Sequence, residues 1–336
     1  MRILWRGPLL DPSGYAEGGR AFVRGLDEAG AEVRVEALRW SPVESVRGAE
    51  RDRLARLSRR EMPDPDVLVQ HVFGKWVRPY VPGRLRVART MFETDRLPPE
   101  WVPRLGLMDA VIVPTEHNRR SFAAAGVDEA LLHVVPEPFE LDGIDPHAPP
   151  LDIPEAHGTV VLAAFDWTLR KGWDVLLDAW CRAFADHDDV TLVLKVWSTH
   201  ARRSAEDLGA EIGAALVRMG HDPERVPDIV ILDRLLSRAE MSGLYAACDV
   251  YCAPTRGEGW GRPLTEAMAA GRPVIATAWS GPSAFVDDDT GWPVAYELVP
   301  VSEDAGREVA HFRGHRWAEP DRDALVAALR AAHADP

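Results

Sequence analysis

Three cysteines in 336 residues, Cys181, Cys248 and Cys252, are too few and too irregularly spaced for a disulfide framework or a thiolate metal site. They fall on apolar faces and read as reduced core thiols of a cytosolic protein. Positive charge is also in short supply. Lys and Arg number 39 against 53 Asp and Glu, a formal net charge of −14, which argues against a nucleic-acid partner because phosphate backbones require a basic footprint. No apolar run reaches the length that spans a bilayer, and Met1-Arg-Ile-Leu-Trp-Arg6 is too short for the hydrophobic region of a secretion signal. Solenoid repeats, low-complexity stretches and the Gly-x-Gly-x-x-Gly spacing of nicotinamide-binding folds are missing as well. The expectation is a cytoplasmic globular protein, with a hydrophobic share of 46% sufficient for full cores.

The chain does contain a steady alternation. Apolar runs of strand length, at Ile3–Trp5, Glu32–Leu38, Val67–Val72, Leu85–Met91, Ala110–Pro114 and Leu132–Pro136, are separated by helical patterns. The alternation restarts at Thr159–Phe165, Val190–Val196, Asp228–Leu232, Val250–Ala253 and Pro273–Thr277. Trp173, Leu176, Leu177, Trp180, Cys181 and Phe184 fall on one helical face, as do Met241, Leu244, Tyr245 and Cys248. The proline-dense stretch between the two series has neither period and reads as a linker. The pattern predicts an α/β protein of two doubly wound, Rossmann-like domains facing a cleft. They are residues 1–140 on the acceptor side and residues 158–318 for the donor, with a hinge over 141–157 and a C-terminal helix within 319–336.

The most informative stretch runs from Arg256 through Gly257, Glu258, Gly259, Trp260, Gly261, Arg262 and Pro263 to Glu266. It follows the apolar run Val250–Pro254 and opens an amphipathic helix that Gly271 can cap. A strand, a glycine-rich turn and a helix N-terminus together form an anion cradle, with free N–H groups and the positive end of the helix dipole aimed at the ligand. Carboxylates would repel phosphate there, so Glu258 and Glu266 suit hydroxyl groups beside it. Phosphate next to hydroxyls indicates a nucleotide-sugar. Arg170 and Lys171, before Gly172 at another strand-to-helix turn, suit a diphosphate. Cations are disfavoured at a helix start, so their placement needs such a reason.

Other candidates are less specific. The segment Asp11–Arg20, with Tyr15, Gly18 and Gly19, reads as a loop that could close over a phosphate or an acceptor, or could be a plain turn. His71 ends a buried strand and suits either an acceptor-side role or a satisfied core position. Thr115-Glu116-His117-Asn118 fits a helix start capped by Thr115 or Asn118. Asp186–Asp189 and Asp287–Gly291 read as solvated turns, so no metal site is expected. The arginines of residues 51–60 alternate with acids, which favours a solvated face over membrane contact.

Together these residues resemble the retaining glycosyltransferases of the GT-B fold, family 4. Glu258 and Glu266 match that family's E-x7-E motif, Lys171-Gly172 its Lys-Gly, and Gly18-Gly19 its N-domain glycine loop. The resemblance implies that Glu266 binds the donor ribose, that Glu258 contacts the transferred sugar, and that Lys171 with a nearby arginine holds the diphosphate. Gly259, Trp260, Gly261 and Arg262 would complete the donor site together with Gly18 and Gly19. Three positions depart from the pattern. Asp166 stands where the family has arginine, which Arg170 can replace. The usual histidine is replaced within Phe92-Glu93-Thr94-Asp95, leaving Glu93 and Asp95 as acceptor-side candidates. Ala284 stands in place of an acid.

The resulting expectation is a metal-independent, retaining transfer of a sugar from a nucleoside diphosphate to an unidentified acceptor hydroxyl, with no cofactor. Glu258, Arg170, Lys171 and Glu93 would carry the chemistry. The alternatives are an epimerase or hydrolase of nucleotide-sugars on the same fold, and a catalytically silent donor-binding subunit.

Overall fold

The computed structural model describes residues 1–78, 84–138, 143–197 and 204–335. It divides into an N-terminal unit, Met1–Glu140, and a C-terminal unit, Leu141–Pro336. In the first unit, strands β1 (Arg2–Pro8), β2 (Glu32–Leu38), β3 (Val67–His71), β4 (Leu85–Arg89), β5 (Ala110–Val113) and β6 (Leu132–Val134) alternate with helices α1 (Gly14–Glu28), α2 (Gly48–Ser58), α3 (Val102–Leu105) and α4 (Glu116–Ala124). The strands pair in parallel in the order β2-β1-β3-β4-β5-β6. Trp5, Val33, Val35, Val69 and Val87 bury the sheet under Val23, Leu54 and Leu57 of the helices.

The second unit repeats the plan. Its strands are β7 (Thr159–Asp166), β8 (Val190–Trp197), β9 (Asp228–Leu232), β10 (Val250–Ala253), β11 (Val274–Thr277) and β12 (Gly291–Val294). Its helices are α5 (Trp173–Ala183), α6 (Ala205–Met219), α7 (Arg238–Ala246) and α8 (Arg262–Ala269). After β12 come β13 (Tyr296–Pro300), α9 (Glu303–Glu308), β14 (Arg316–Pro320) and α10 (Arg322–Ala334). The parallel sheet runs β12-β11-β10-β7-β8-β9, and the chain reverses its direction of winding between β7 and β10. Ligands of open α/β sheets bind beyond the carboxyl ends of strands at such a switch point. Here those ends are Asp166–Gly172 and Pro254–Gly261.

Helix α5 shows why the layers hold. Trp173, Leu176, Leu177 and Trp180 are buried along one stripe against Leu192, Leu194 and Val196 of β8, and burying each such side chain contributes roughly 1.5–3 kcal/mol. Cys248 and Cys252 are buried free thiols and Cys181 is a partly buried one. No described helix is long and apolar enough to cross a membrane.

Several expectations need correcting. Helix α1 begins at Gly14, with the Ser13 side chain accepting from the Ala16 amide, so Gly18 and Gly19 lie inside a helix and not in a loop. Strands β4 and β6 end two residues early, at Arg89 and Val134, while β1 extends to Pro8. Edge strand β12 and the antiparallel hairpin β13–β14 were not anticipated, and the expected boundary at 318/319 falls within β14. The described part of the proline-dense segment packs on α7: the Leu151 amide donates to Gly243 O at 2.8 Å and the Asp145 amide to Ser242 Oγ at 3.1 Å. Residues 139–142, across which the first unit gives way to the second in sequence, lie outside the described residues.

Candidate active site

The two loops at the β7/β10 switch point are stitched together by polar bonds. The Arg256 amide donates to Arg170 O at 2.7 Å, and Arg170 Nη1 donates to Gly257 O at 2.6 Å. Gly172 has φ +70°, and a Cβ there would overlap the Pro254 carbonyl, so only glycine permits this approach. Residues Leu169–Lys171 form a short 3-10 turn that Gly172 ends before α5 begins.

Within this frame Lys171 Nζ lies 2.5 Å from Glu258 Oε1, and Arg170 Nη1 lies 3.2 Å from Glu258 Oε2. Burial works to raise the Glu258 pKa, but the two cations outweigh it and hold the carboxyl below its ordinary range. Burial lowers the Lys171 pKa and Arg170 repels its charge, while Glu258 opposes both. One carboxylate therefore sits between two cations, and a diphosphate entering here would compete for them. Lys171, Tyr251, Glu258, Pro263 and Leu264 line a shallow cavity at this point.

The helix that follows fulfils the sequence expectation. Gly261 adopts φ +102° as the residue before α8, Pro263 sits in the first turn, and Gly271 follows the last turn at φ +75°. Glu266, on α8, accepts from the Tyr245 hydroxyl at 2.9 Å and lies 3.7 Å from Arg262. The Trp260 ring packs on Phe285 at 5.0 Å, and Gly259 is buried.

A third loop, after β11, braces the motif. The Glu258 amide donates to Ser280 Oγ at 2.9 Å, and the Gly281 amide donates to Glu258 O at 3.0 Å. Ser280 takes φ +59°, a strained conformation for a non-glycine residue and one that is common at ligand sites. Sequence reasoning missed this brace, and also the clamp at Arg256. That guanidinium is 5% exposed, bonds Asp174 at 2.7 Å and Glu319 of β14 at 2.6 Å, and lies over the Trp317 ring. Burial opposes its charge, but the two carboxylates more than restore it. The partners are 82 and 63 residues away, so no local signal could have revealed them.

The N-terminal candidates separate into two groups. The first is a buried network. His71 is fully buried, with Nε2 3.0 Å from Tyr15 O and Nδ1 3.1 Å from Arg89 Nη1, and Arg89 Nη2 donates to Glu137 Oε1 at 2.5 Å. His71 is thus a satisfied core histidine, whose pKa burial drives well below the ordinary value. The Tyr15 hydroxyl is 3.2 Å from Thr90 Oγ1 and accepts from the Met91 amide at 3.1 Å. A Cβ on Gly18 would overlap the Glu137 carboxylate, and one on Gly19 would come within 3.1 Å of Pro8 O, so both glycines serve close packing.

The second group is the loop after β4. Asn118 Nδ2 donates to Phe92 O at 2.8 Å, while Thr115 caps α4 by accepting from the Asn118 amide. Glu93 is half-buried, and Asp95 is gripped by its neighbour Arg96 at 2.8 Å. His117, which the sequence suggested was structural, is brought against this loop by a hydrogen bond to the Thr94 backbone. Burial lowers its pKa to about 4.

The fold of nearly the whole chain is shared with solved glycosyltransferase structures. Its fold is the GT-B fold. The sucrose-phosphate synthase of Thermosynechococcus elongatus superposes with a TM-score of 0.66 at 16% identity, covering 100% of this chain and 90% of that one. Anabaena HepE in complex with UDP and glucose gives 0.62 at 16% identity, covering 99% and 95%. The family described as glycosyl transferases group 1 matches residues 157–311, which contain the whole β7/β10 site. A D-inositol 3-phosphate glycosyltransferase of Xylanimonas cellulosilytica is 28% identical over 54% of this chain and 43% of its own length. A phosphatidyl-myo-inositol mannosyltransferase of Mycobacterium leprae is 36% identical over 32% of this chain and 25% of its own length. The matches therefore span less than half the length of these curated relatives.

Proposed function

We propose that this protein transfers a sugar from a nucleoside-diphosphate sugar to an acceptor hydroxyl, retaining the anomeric configuration. The observation that carries the reading is the meeting of Arg170 and Lys171 with Glu258, beside the N-terminus of α8. The relatives' descriptions as a glycosyltransferase and a mannosyltransferase, and the neighbour solved with UDP and glucose, support it.

In this reading the bond from the anomeric carbon to the diphosphate oxygen breaks, and the acceptor oxygen bonds to the same face of that carbon. The acceptor proton leaves with the diphosphate. Arg170, Lys171 and the α8 N–H groups stabilise the charge gathering on the leaving group, an electrostatic contribution made without reorganisation at the moment of reaction. Glu258, released from the cations as diphosphate engages them, faces the sugar as positive charge develops. Glu266 accepts from the ribose hydroxyls, with Tyr245 fixing its carboxylate. One of Glu93 and Asp95 positions the acceptor hydroxyl. Because the cations come from side chains, turnover should not need a divalent metal.

The test is a thermal-shift screen of UDP-, GDP- and ADP-sugars, followed by nucleotide release with and without acceptors and determination of the product anomer by NMR. Release only with an acceptor, giving a retained anomer, is the expected result. Release without an acceptor would favour an epimerase or hydrolase, and binding without turnover a silent subunit. If no nucleotide-sugar shifts the melt, the reading fails.

A further inference from the structure

The N-terminal unit gathers aromatic rings beyond the carboxyl ends of its first three strands. Tyr15 opens α1, Trp40 and Phe73 each stand two residues past a strand, β2 and β3, and Trp76 ends the short 3-10 turn Gly74–Trp76. Trp40 packs on Tyr15 at 4.9 Å, on Phe73 at 4.8 Å and on Trp76 at 5.1 Å between ring centroids. Phe73 also packs on Trp101, which is fully buried, so one end of this wall is anchored in the core. At the other end Trp76 is 41% exposed, while Tyr15, Trp40 and Phe73 are half-buried. Single exposed apolar side chains are ordinary, but contiguous rings left open to solvent mark a binding surface.

Carboxylates flank the wall. Glu93 lies close enough to Tyr15 to act on its hydroxyl electrostatically. Residues 39–41 give Trp40 to the wall and give Arg39 and Ser41 to a cleft of about 60 Å³ that Asp11 and Glu44 also line. Asp11 is 3% exposed, and its Oδ1 accepts from the Ser13 amide at 3.0 Å. Its Oδ2 is buried with no hydrogen-bond partner among the described residues. A buried carboxylate oxygen without a donor is costly, so Asp11 suits a donor supplied by a ligand. Acceptors on Asp11 beside the donors of Arg39 suit hydroxyl groups, which both donate and accept. An anion would meet Asp11 and Glu93. A cation would be repelled by Lys75, whose ammonium already lies over the Trp76 ring at 4.9 Å.

Aromatic faces carry negative charge, and the C–H bonds of a sugar ring, polarised by the oxygens beside them, are their complement. An alkyl chain has no such polarity and no donors for the carboxylates. We propose that this surface binds a saccharide, its ring faces on Trp40 and Trp76 and its hydroxyls on Glu93 and Asp11, so that the acceptor of the transfer is itself a sugar. The binding follows from the N-terminal unit alone, while the ligand's role as acceptor rests on the transfer reading above.

Saturation-transfer NMR and calorimetry of the full chain with maltose, cellobiose, lactose and mannobiose test it, with hexanol as the apolar control and melting curves for every variant. At least one disaccharide should bind, and hexanol should not displace it. Trp76→Leu keeps apolar bulk but removes the aromatic face, and should weaken that disaccharide about 3- to 10-fold, whereas Trp76→Phe should stay within about twofold of wild type. Asp11→Asn, which removes the charge from the acceptor, should weaken it about fivefold. Should Asp11→Asn fail to fold, the Trp76 pair decides. Absence of saccharide binding in the millimolar range, displacement by hexanol, or wild-type affinity in Trp76→Leu overturns the inference. Nucleotide-sugar melts of the same chain keep the two readings apart. Saccharide binding without any nucleotide-sugar shift would remove the acceptor role and leave the site standing, and the converse would leave only the donor site.

Discussion

Glu258 and Glu266 look equivalent in the sequence, two acids with seven residues between them, but their surroundings differ in kind. Glu266 accepts from a neutral hydroxyl at 2.9 Å with Arg262 3.7 Å away, and its interaction with ribose should be the same in the ground and transition states. Glu266→Gln should raise KM for the donor with kcat nearly unchanged, at a cost of roughly 2–4 kcal/mol for a charged pair of hydroxyl bonds. Glu258 is paired with two cations, Arg170 and Lys171. Its replacement by Gln should lower kcat and leave nucleoside-diphosphate affinity equal to or tighter than wild type, because the freed cations no longer have a competing carboxylate. Calorimetry beside steady-state kinetics on both variants checks this, and swapped signatures would refute the assignment. On the acceptor side, Glu93→Gln should impair transfer more than Asp95→Asn, since Arg96 already holds Asp95 at 2.8 Å. Nucleotide affinity should stay within a few-fold of wild type in both, and transfer at wild-type rate in both would make the loop structural. The motif acids were legible in the sequence because their spacing is local. The partners that set them apart were not, because Tyr245 and Lys171 stand 21 and 87 residues away.

At the level of elements, glycines separate positions that need close approach from positions that only terminate a helix. Gly172 and Gly220 both have positive φ, at +70° and +88°. A Cβ on Gly172 would overlap Pro254 O, whereas none of the surroundings of Gly220 lies within 4 Å of an added Cβ. Gly172→Ala should therefore destabilise the C-terminal unit by at least about 2 kcal/mol, combining backbone strain with overpacking, and should weaken nucleotide binding. Gly220→Ala should cost about 1–2 kcal/mol and leave nucleotide binding unchanged. Differential scanning calorimetry with and without nucleotide distinguishes the two. Strands β1 to β11, though not β12, were readable as apolar runs, Thr115 as a cap and Pro263 as a first-turn residue. The start of α1 was misread because Gly14, Gly18 and Gly19 signal a loop by propensity, while contacts with Glu137, Pro8 and Leu9 demand small residues in a helix. The β13–β14 hairpin escaped because its strands are 16 residues apart at their nearer ends and each ends in proline.

At the level of the whole molecule, acid sensitivity follows from buried imidazoles. Burial holds the folded-state pKa of His117 at about 4 and that of His71 well below its ordinary value of 6.5. As pH falls, the unfolded chain takes up these protons first, so the stability these groups contribute is complete above pH 6.5 and is lost on descent toward 4. The melting temperature should drop across that window, and His117→Gln should flatten the drop; an unaltered slope would show that His117 is not buried in its neutral form. With side-chain cations serving the diphosphate as proposed, activity should survive EDTA, and restoration by magnesium after chelation would overturn that proposal. The sequence by itself determined the two series of βα units and the glycine-rich helix start, since hydrophobic period and turn chemistry act over a few residues. It also singled out Arg170, Lys171, Glu258 and Glu266 as candidates for binding phosphate and hydroxyls. Only the tertiary structure decided that Glu258 bridges Arg170 and Lys171, that Arg256 is a clamp, and that His71 is core. Those facts depend on strand order and register, and pairing between distant strands leaves no mark in the local pattern of either one.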